Sequence, residues 1–512
     1  FFSGCNMRLK DCPIEIVRAV APFAGYFPLL TVCRKFWYAL RLKRIQSYSE
    51  IPSSVDFQNF QKHGVVSIAL RLGQTYRDRA LTKLKLEASS LQALQTLAHS
   101  ASLATLILHF PNHNIGDDGC TFVSSLTQCN SLTELHLDFT GNGISDKGAS
   151  ELAACRLIRK LAVLSICLRD NELRDEGVRD LVKVYSLPTL TSCTFNLGYN
   201  AFSDDGVQRL FSLPGATRLR KLVLDLRAND ISDDGLKRIV DLRQTTSLTS
   251  LSLHLTEMPI GMETMRCLGA FSDSLLQHLT LDLGCTDIVD EGVQCLAPLQ
   301  GSTTLQSLSL NFEETEITSD GLRHAVFLAQ SPRLTSFSVG LISCQELKGD
   351  DAAQFLSDSL VPLQHLRRLH LCLMDTEVTN KGVRALADAV QKAVHLRHMG
   401  ICLMENEIRQ SGSDYLTEAL RKVTWLDSLV LNLKRNGVDQ EQDLGGKLHG
   451  LRNALPTTTI HSDDDVFDHD EYYDSSSDDS ASEAGDEDGE DSDDNPPADE
   501  LVQAPPGDGG AL

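Results

Sequence analysis

Apolar and polar residues alternate along most of this chain in short segments, each followed by apolar residues at helical spacing. In one copy, Leu135, Leu137 and Phe139 have a period of two, which places them on the buried face of a β-strand. Leu152 follows at a position suited to the inward face of a helix. Each segment therefore predicts one strand and one helix.

This strand–helix unit recurs about every 29 residues. Its steps are 29 residues five times and then 28, 29, 29, 32, 30 and 30, with the first leucine at Leu103, Leu132, Leu161, Leu190, Leu219, Leu248, Leu276, Leu305, Leu334, Leu366, Leu396 and Leu426. A period kept over twelve copies predicts a solenoid, in which stacked units bury apolar faces that none could bury alone. Leu81, Leu84 and Leu86 have the spacing of a degenerate opening unit.

The residues between strand and helix predict how the buried polar backbone groups of the turn are hydrogen-bonded. An Asn after the strand can hydrogen-bond the buried backbone at Asn142, Asn171, Asn200, Asn229, Asn406 and Asn436. The same slot in the middle repeats holds Met258, Thr286, Thr315, Cys344 and Thr376, which predicts a weaker ladder there. A following Ser-Asp-Asp-Gly string, or a relative of it, predicts a helix N-cap with acids that suit the helix dipole.

This pattern resembles the leucine-rich-repeat family, and its 29-residue unit is most similar to the ribonuclease-inhibitor-like class. The resemblance implies an α/β solenoid, or horseshoe, with an inner parallel sheet and outer helices over residues 81–455. The strand signature has one more L-x step before the Asn than the family's usual pattern. We expect this step to lengthen the strands or change their curvature.

The acidity of the chain lies in its last residues. The net charge is −23, but residues 461–512 contain 20 Asp and Glu and no Lys or Arg, which leaves 50 acidic against 47 basic residues elsewhere. Low hydrophobicity and high charge predict a disordered tail over residues 456–512. The tail would solubilise the chain, attract basic partners, or be phosphorylated at serines that have an acid three residues on, namely Ser475, Ser476 and Ser480.

Cysteine placement and the remaining motifs favour an intracellular protein. The fourteen cysteines form no C-x-x-C pair, and Cys167, Cys372 and Cys402 share one slot of the repeat. The chain has no N-x-Ser/Thr acceptor, and its most apolar N-terminal run, residues 19–33, is too short to span a bilayer. We expect a cytoplasmic or nuclear protein that has no membrane segment.

The residues between the strand leucines are expected to line the concave face and to bind a protein. The candidates are His136, Asp138, Arg169, Asn196, Asp225, Arg227, His254, Asp282, Asn311 and Glu313. Without aromatic residues or a basic stripe, this face does not predict nucleic-acid binding. His254 between Asp225 and Asp282 could hold a metal, although three solvated polar residues explain the pattern better. No nucleophile has a partnered base, so we predict neither an enzyme nor a cofactor.

The N-terminal residues 1–45 predict a small helical module, and 46–80 a connecting segment. Residues 13–23 and 28–37 resemble the opening and closing strings of an F-box, which implies docking to the adaptor subunit of a cullin-RING ubiquitin ligase. The docking surface would comprise Pro13, Ile16, Val17, Val20, Leu29, Leu30 and Val32. Cys12 replaces the usual leading Leu and the middle is short by two or three residues. The alternative is a cap that shields the first repeat.

Three functions follow from these resemblances. The first is the substrate-recognition subunit of a cullin-RING, SCF-type, ubiquitin ligase. The second is a Ran-type GTPase-activating protein, because a repeat crescent followed by an acidic tail resembles the layout of that family. Its catalytic arginine lies in a repeat loop, whereas Arg169 and Arg227 are predicted on strands. The third is an interaction scaffold with no linked activity.

Overall fold

The computed structural model describes residues 45–48, 67–71, 102–360, 362–437 and 459–461. The chain divides into two units, 1–466 and 467–512, and all the described residues belong to the first. The N-terminal module and the serines of the acidic tail lie outside the described residues.

The described strands form one parallel sheet in which every strand pairs with its neighbours in sequence. In chain order the strands are β1 Ile45–Tyr48, β2 Ser67–Arg71, β3 Thr105–His109, β4 Glu134–Asp138, β5 Val163–Cys167, β6 Ser192–Asn196, β7 Lys221–Asp225, β8 Ser250–His254, β9 His278–Asp282, β10 Ser307–Asn311, β11 Ser336–Gly340, β12 Arg368–Cys372, β13 His398–Cys402, β14 Ser428–Asn432 and β15 Thr459–His461. The twelve strands β3–β14 each hold five residues and coincide with the twelve sequence repeats. The predicted solenoid is confirmed.

Helices alternate with strands β3–β14. The α-helices are α1 Gly116–Cys120, α2 Phe122–Leu126, α3 Asp146–Leu152, α4 Asp175–Leu181, α5 Asp204–Ser212, α6 Asp233–Leu236, α7 Met262–Gly269, α8 Asp290–Gln294, α9 Ser319–Leu328, α10 Gly349–Leu360, α11 Asn380–Lys392 and α12 Gln410–Leu420. Short 3-10 helices extend several of them, at Ala153–Leu157, Val182–Ser186, Lys237–Gln244, Ala270–Asp273 and Ala297–Gly301. Among the described residues, no helix is long and apolar enough to cross a membrane.

The core is one continuous layer between sheet and helices. The second and fourth residues of each strand, such as Leu135 and Leu137, are buried together with Phe139 and the helix residue Leu152. Burying a leucine or phenylalanine side chain contributes about 1.5–3 kcal/mol. The same positions recur in every unit, so each unit covers the apolar edge of the next.

The sheet extends further at both ends than the sequence predicts. Strand β2 pairs directly with β3, so Ser67–Arg71, and not the leucines at 81–86, supplies the neighbouring strand. Strands β1 and β2 lie in the segment predicted as a connection, and β15 lies within the predicted tail, paired with β14. Backbone hydrogen bonds hold such pairs, so a strand can form where the leucine pattern has faded.

The asparagine ladder predicted from the sequence joins successive units. Oδ1 of Asn142 accepts hydrogen bonds from the backbone N–H groups of His113 and Ile115, at 3.0 and 3.1 Å, in the preceding unit. Its Nδ2 donates to the carbonyl of Phe110 at 2.8 Å. In the middle repeats Thr286 instead donates to the carbonyl of Leu283, within its own unit. Cys344, in contrast, donates from its Sγ to the carbonyl of Phe312 in the preceding unit at 3.0 Å, so the inter-unit bond is kept there by a weaker donor.

A second ladder of aspartates was not predicted from the sequence. Asp175 at the start of α4 accepts hydrogen bonds from Ser203 N at 2.7 Å, Ser203 Oγ at 2.8 Å and Gly206 N at 3.0 Å, all in the next unit. Ser203 was predicted to cap its own helix, but its side chain makes no cap bond and donates to Asp175 instead. A Cβ at Gly206 would lie 2.7 Å from Asp175 Oδ1, so this approach requires glycine.

We expect Asp175→Ala to destabilise the solenoid by about 1–3 kcal/mol, because two backbone N–H groups of the next unit lose their acceptor. Urea unfolding followed by circular dichroism measures this loss. Asp205→Ala is the matched control, since Asp205 is an exposed acid in the first turn of α5. Equal midpoints for the two variants would contradict a role for the aspartate ladder.

Candidate partner-binding face

The first, third and fifth residues of strands β3–β14 share the sheet face opposite the leucines, which we call the open face. The first and third residues are mostly partly buried, as the sequence predicts for a face open to solvent. From β6 onward, however, the fifth residues are buried. The exposed fractions of Asp225 and His254 are 2% and 3%. For the fifth strand residues from β6 onward, which we call the lane, the prediction of solvated polar side chains is therefore wrong.

Seven of the predicted residues form what we call the polar cluster: Asn196, Asp225, Arg227, His254, Asp282, Asn311 and Glu313. Four are the fifth residues of the adjacent strands β7–β10, held side by side by the parallel register. Asn196 is the fifth residue of β6 and pairs with Asp225. Arg227 and Glu313 each lie two residues beyond their strands. The cluster is thus built by register, at strand spacings of about 4.8 Å.

Arg227 and Asp225 form a buried ion pair at one end of the cluster. Arg227 Nε donates to Asp225 Oδ1 at 2.9 Å, and the arginine is 5% exposed. Asp225 Oδ2 and Arg227 Nη2 are buried and have no hydrogen-bond partner among the described residues. The arginine stem lies against Gly198 of the preceding unit, where a Cβ would be 2.9 Å from Arg227 Cγ. The pair leaves one donor and one acceptor unsatisfied.

The other end of the cluster is a chain of hydrogen bonds across three strands. His254 Nδ1 lies 3.4 Å from Asp282 Oδ2, and Asn311 Nδ2 donates to Asp282 Oδ1 at 2.9 Å. Asn311 Nδ2 also lies 3.5 Å from Glu313 Oε2. Because Asp225 binds Arg227 while His254 binds Asp282, the triplet that could have held a metal is divided between two partners.

Asp282 and Glu313, the two carboxyl groups in this row of hydrogen bonds, have opposite pKa shifts. Burial raises the pKa of Asp282, but the hydrogen bond and the charge of His254, with Asn311 and Arg227, outweigh burial and lower it. Burial also raises the pKa of Glu313, and the repulsion of Asp282 and Glu314 adds to the effect. The polar cluster contains the carboxyl groups of Asp225, Asp282 and Glu313 but one arginine, so its acidic groups outnumber that base.

The candidates His136 and Asp138 lie on strand β4, and Asp138 interacts with the neighbouring strand. His136 and Asp138 share the open face, but Asp138 Oδ2 lies 2.5 Å from His109 Nδ1 on the neighbouring strand. Thr140 Oγ1 donates to Asp138 Oδ1 at 2.8 Å. Burial lowers the pKa of His136. The sequence therefore missed His109 as the partner of Asp138.

Arg169 lies at the edge of the face against an aromatic ring that the sequence did not single out. Its guanidinium is 4.7 Å from the ring centroid of Tyr199, and Tyr199 Oη donates to Glu257 Oε1 at 3.4 Å. Tyr199 and Glu257 have positive φ values of 55° and 61°. A positive φ favours Gly or Asn, so a tyrosine at this position of the repeat is unusual. That exception in the repeat is a sequence signal that could have identified Tyr199.

The arginines lie just beyond the strands on which they were predicted. Arg169 follows Cys167, the last residue of β5, by two positions, and Arg227 follows Asp225 in the same way. The strands end there because the third residue after each strand turns with a positive φ, at Asp170 and Ala228. Both side chains remain at the open face and not in the loops that lead to the helices.

The other predicted site residues cannot be placed. Pro13, Ile16, Val17, Val20, Leu29, Leu30 and Val32, and the three serines of the tail, lie outside the described residues. Within the described part of the chain, no group of three or more His, Cys, Asp or Glu side chains could hold a metal ion.

Comparison with known proteins identifies the repeat. A family model described as "Leucine Rich repeat" matches residues 128–153, 220–240 and 276–297. Among solved structures, an internalin of Listeria monocytogenes is 18% identical, with a TM-score of 0.35, over 66% of this chain and 82% of that one. A protein of Bacteroides fragilis is 12% identical, with a TM-score of 0.28, over 54% of this chain and 66% of that one.

No curated protein matches the sequence. The chain spans just under two thirds of the Bacteroides fragilis protein. At these identities and TM-scores, neither solved structure informs the function of this chain.

We expect Glu313→Gln to stabilise the protein at pH 7. The raised pKa of Glu313 means that folding disfavours its charged form, so stability is lost as the pH rises from the unfolded pKa of about 4.3 through the folded value. The gain from Gln should vanish below about pH 4, where both states are protonated.

Urea unfolding of wild type and variant between pH 3.5 and 7.5 measures the difference. Glu316→Gln is the control, because Glu316 is an exposed acid in the same turn. If the stability difference did not change with pH, the ionised carboxylate of Glu313 would not be what destabilises the wild-type fold.

Proposed function

Because the chain is a leucine-rich-repeat protein, a class that serves as protein-interaction scaffolds, we propose that it binds a protein partner at the polar cluster of the open face. The observation that carries this proposal is the acidic character of the polar cluster, in which the carboxyl groups of Asp225, Asp282 and Glu313 accompany one arginine and Glu313 is partly exposed. The Asp225–Arg227 pair lies beneath this surface, because the two residues are only 2% and 5% exposed. A protein segment would therefore bind at the exposed edge of the cluster.

The partner should present a basic side chain to the acidic end of the cluster. Glu313 is partly exposed at the edge of the cluster, and its partial burial raises its pKa, with the repulsion of Asp282 and Glu314 adding to the effect. A Lys or Arg of the partner would offset this repulsion. Glu257 adds a further carboxylate beside Tyr199 on the same side of the face.

Immobilised peptides of graded net charge test this preference. We expect the wild-type chain to retain Lys- and Arg-containing peptides, with binding that weakens as the salt concentration rises. Glu313→Gln should weaken that binding by about 1 kcal/mol, which is roughly a fivefold rise in Kd. Glu291→Gln, which changes an exposed acid on helix α8, should bind like wild type.

A preference for acidic peptides would contradict the proposed partner chemistry. Equal losses in the Glu313 and Glu291 variants would show that only the overall charge of the chain matters.

We propose further that the bound partner is the substrate of a ubiquitin ligase. Support comes from the sequence before the sheet, where residues 13–23 and 28–37 resemble the ends of an F-box. In this arrangement the N-terminal module binds the ligase adaptor through residues such as Ile16 and Leu30, while the open face holds the substrate. Such a subunit would work in the cytoplasm or the nucleus. A cap over the first repeat is the competing role of the same residues.

A binding assay with the purified ligase adaptor separates the two roles. We expect the wild-type chain to bind, and Ile16→Asp combined with Leu30→Asp to raise Kd by about 100-fold or more, because both residues would be buried in the interface. Leu157→Asp controls for lost surface hydrophobicity, since Leu157 is 54% exposed on the solenoid.

Absence of adaptor binding by the wild-type chain would contradict the ligase proposal. If the same chain accelerated GTP hydrolysis by a Ran-type GTPase, the GTPase-activating alternative would replace it.

A further inference from the structure

Two adjacent units carry the same sulfur-containing string at the end of their strands. Strand β12 ends at Cys372 and is followed by Leu373 and Met374, while β13 ends at Cys402 and is followed by Leu403 and Met404. The polar cluster ends two strands before, at β10. The sulfur-containing residues therefore form a separate group, which we call the sulfur cluster: Cys372, Met374, Cys402 and Met404.

Strand register places the four side chains side by side. Cys372 pairs with Cys402 in the parallel ladder. The ladder continues past the strand ends, because Leu373 N donates to Cys402 O at 2.9 Å and Asp375 N donates to Met404 O at 3.1 Å. Met374 therefore lies opposite Met404. The buried Leu373 and Leu403 between them point into the core, so each cysteine and its methionine share the open face.

The sulfur cluster is shielded from water at its cysteines but accessible from solvent at one methionine. Cys402 is 1% exposed and Cys372 4%, whereas Met374 is only partly buried and offers a route from solvent. Met404 Sδ lies 3.8 Å from Asn432 Nδ2, the residue that pairs with Cys402 in the ladder. The thioether sulfur of Met404 is thus drawn toward the lane of the cysteines. Gly340 pairs with Cys372 on the other side and leaves that flank without a side chain.

The two thiols are in contact across the ladder, since the Cys372 thiol hydrogen-bonds to Cys402. The backbone N–H of Met404 and the side chain of Asn432 also hydrogen-bond to Cys402. The thiolate is the form of cysteine that binds metals.

We propose that the sulfur cluster binds a soft monovalent metal ion, Cu(I). Thiolate and thioether ligands select Cu(I), and neighbouring parallel strands about 4.8 Å apart hold the two thiolates where one ion could bridge them. Zinc prefers Cys and His ligands, and among the described residues no group of three or more His, Cys, Asp or Glu side chains is arranged to hold a metal ion. Two thioethers beside two thiols complete a set of soft ligands.

The binding step needs no redox partner. Cu(I) forms bonds to the sulfurs of Cys372 and Cys402, both S–H protons are released to solvent, and no electron is transferred. The two thiolates and the ion leave one negative charge. Lys434 lies next to Met404 in the following unit, because Glu405 N donates to the carbonyl of Lys434 at 3.0 Å.

Anaerobic competition between the reduced 512-residue chain and the Cu(I) chelator bicinchoninate tests the proposal. We expect wild type to remove one equivalent of Cu(I) from the chelator. Cys372→Ser and Cys402→Ala should each weaken binding by at least about 100-fold, since loss of a mere outer-shell partner already weakens metal sites by roughly 10–100-fold. Met404→Leu should weaken it by about tenfold.

Cys167→Ser is the matched control, because Cys167 occupies the same slot of the repeat but pairs with Asp138 and Asn196 instead of a second thiol. It should bind Cu(I) like wild type. Unfolding midpoints establish that each variant is folded. Copper X-ray absorption of the wild-type complex supplies an independent readout, for which we expect sulfur ligands only.

Three results would overturn the proposal. The first is Cu(I) binding that survives both cysteine substitutions in folded protein. The second is a copper coordination sphere made of nitrogen and oxygen. The third is a Cys372–Cys402 disulfide that forms in air, combined with no Cu(I) binding after reduction, since the strand spacing also falls within the range that a disulfide allows.

Discussion

The structure depends on a single constraint, which is that no unit can satisfy its own buried backbone or cover its own apolar faces. The carboxylate of Asp175 reaches into the next unit and accepts two of its backbone N–H groups, and Asn142 reaches into the preceding one. These two ladders fix the offset between neighbouring units at one strand spacing. Because the leucine layer is shared, a break in either ladder also opens the core between two units.

The same offset determines the chemistry of the open face. Fixed register brings residues 28 or 29 apart in sequence into contact, and so Asp282 meets both His254 and Asn311. Burial raises the pKa of Asp282, but its partners His254 and Asn311 outweigh burial and lower it, whereas at Glu313 burial prevails and the pKa is raised. The polar cluster thus holds more acidic groups than basic ones, and the partly exposed Glu313 lies at its edge, which suits the binding of a basic protein segment.

Strand register also places a different kind of side chain at this face in the C-terminal units. The lane that carries carboxylates in β7 and β9 carries thiols in β12 and β13, so one scaffold presents hard oxygen groups and soft sulfur groups at equivalent positions. The thiol of Cys167 occupies that slot too, but its neighbours are Asp138 and Asn196. A residue in this slot therefore acquires its chemistry from the two adjacent units.

The sequence by itself determined the repeat, the strand–helix order and the buried leucines, because hydrophobic periodicity is a local property that survives without coordinates. It also identified the residues of the open face, including Asp225 and Glu313. Only the tertiary structure decided that these residues are buried, that Asp138 pairs with His109, and that Asp175 serves the next unit and not its own helix. Each of these facts concerns a contact between units, and a pattern within one unit cannot specify the distance, the burial or the partner that the neighbouring unit provides.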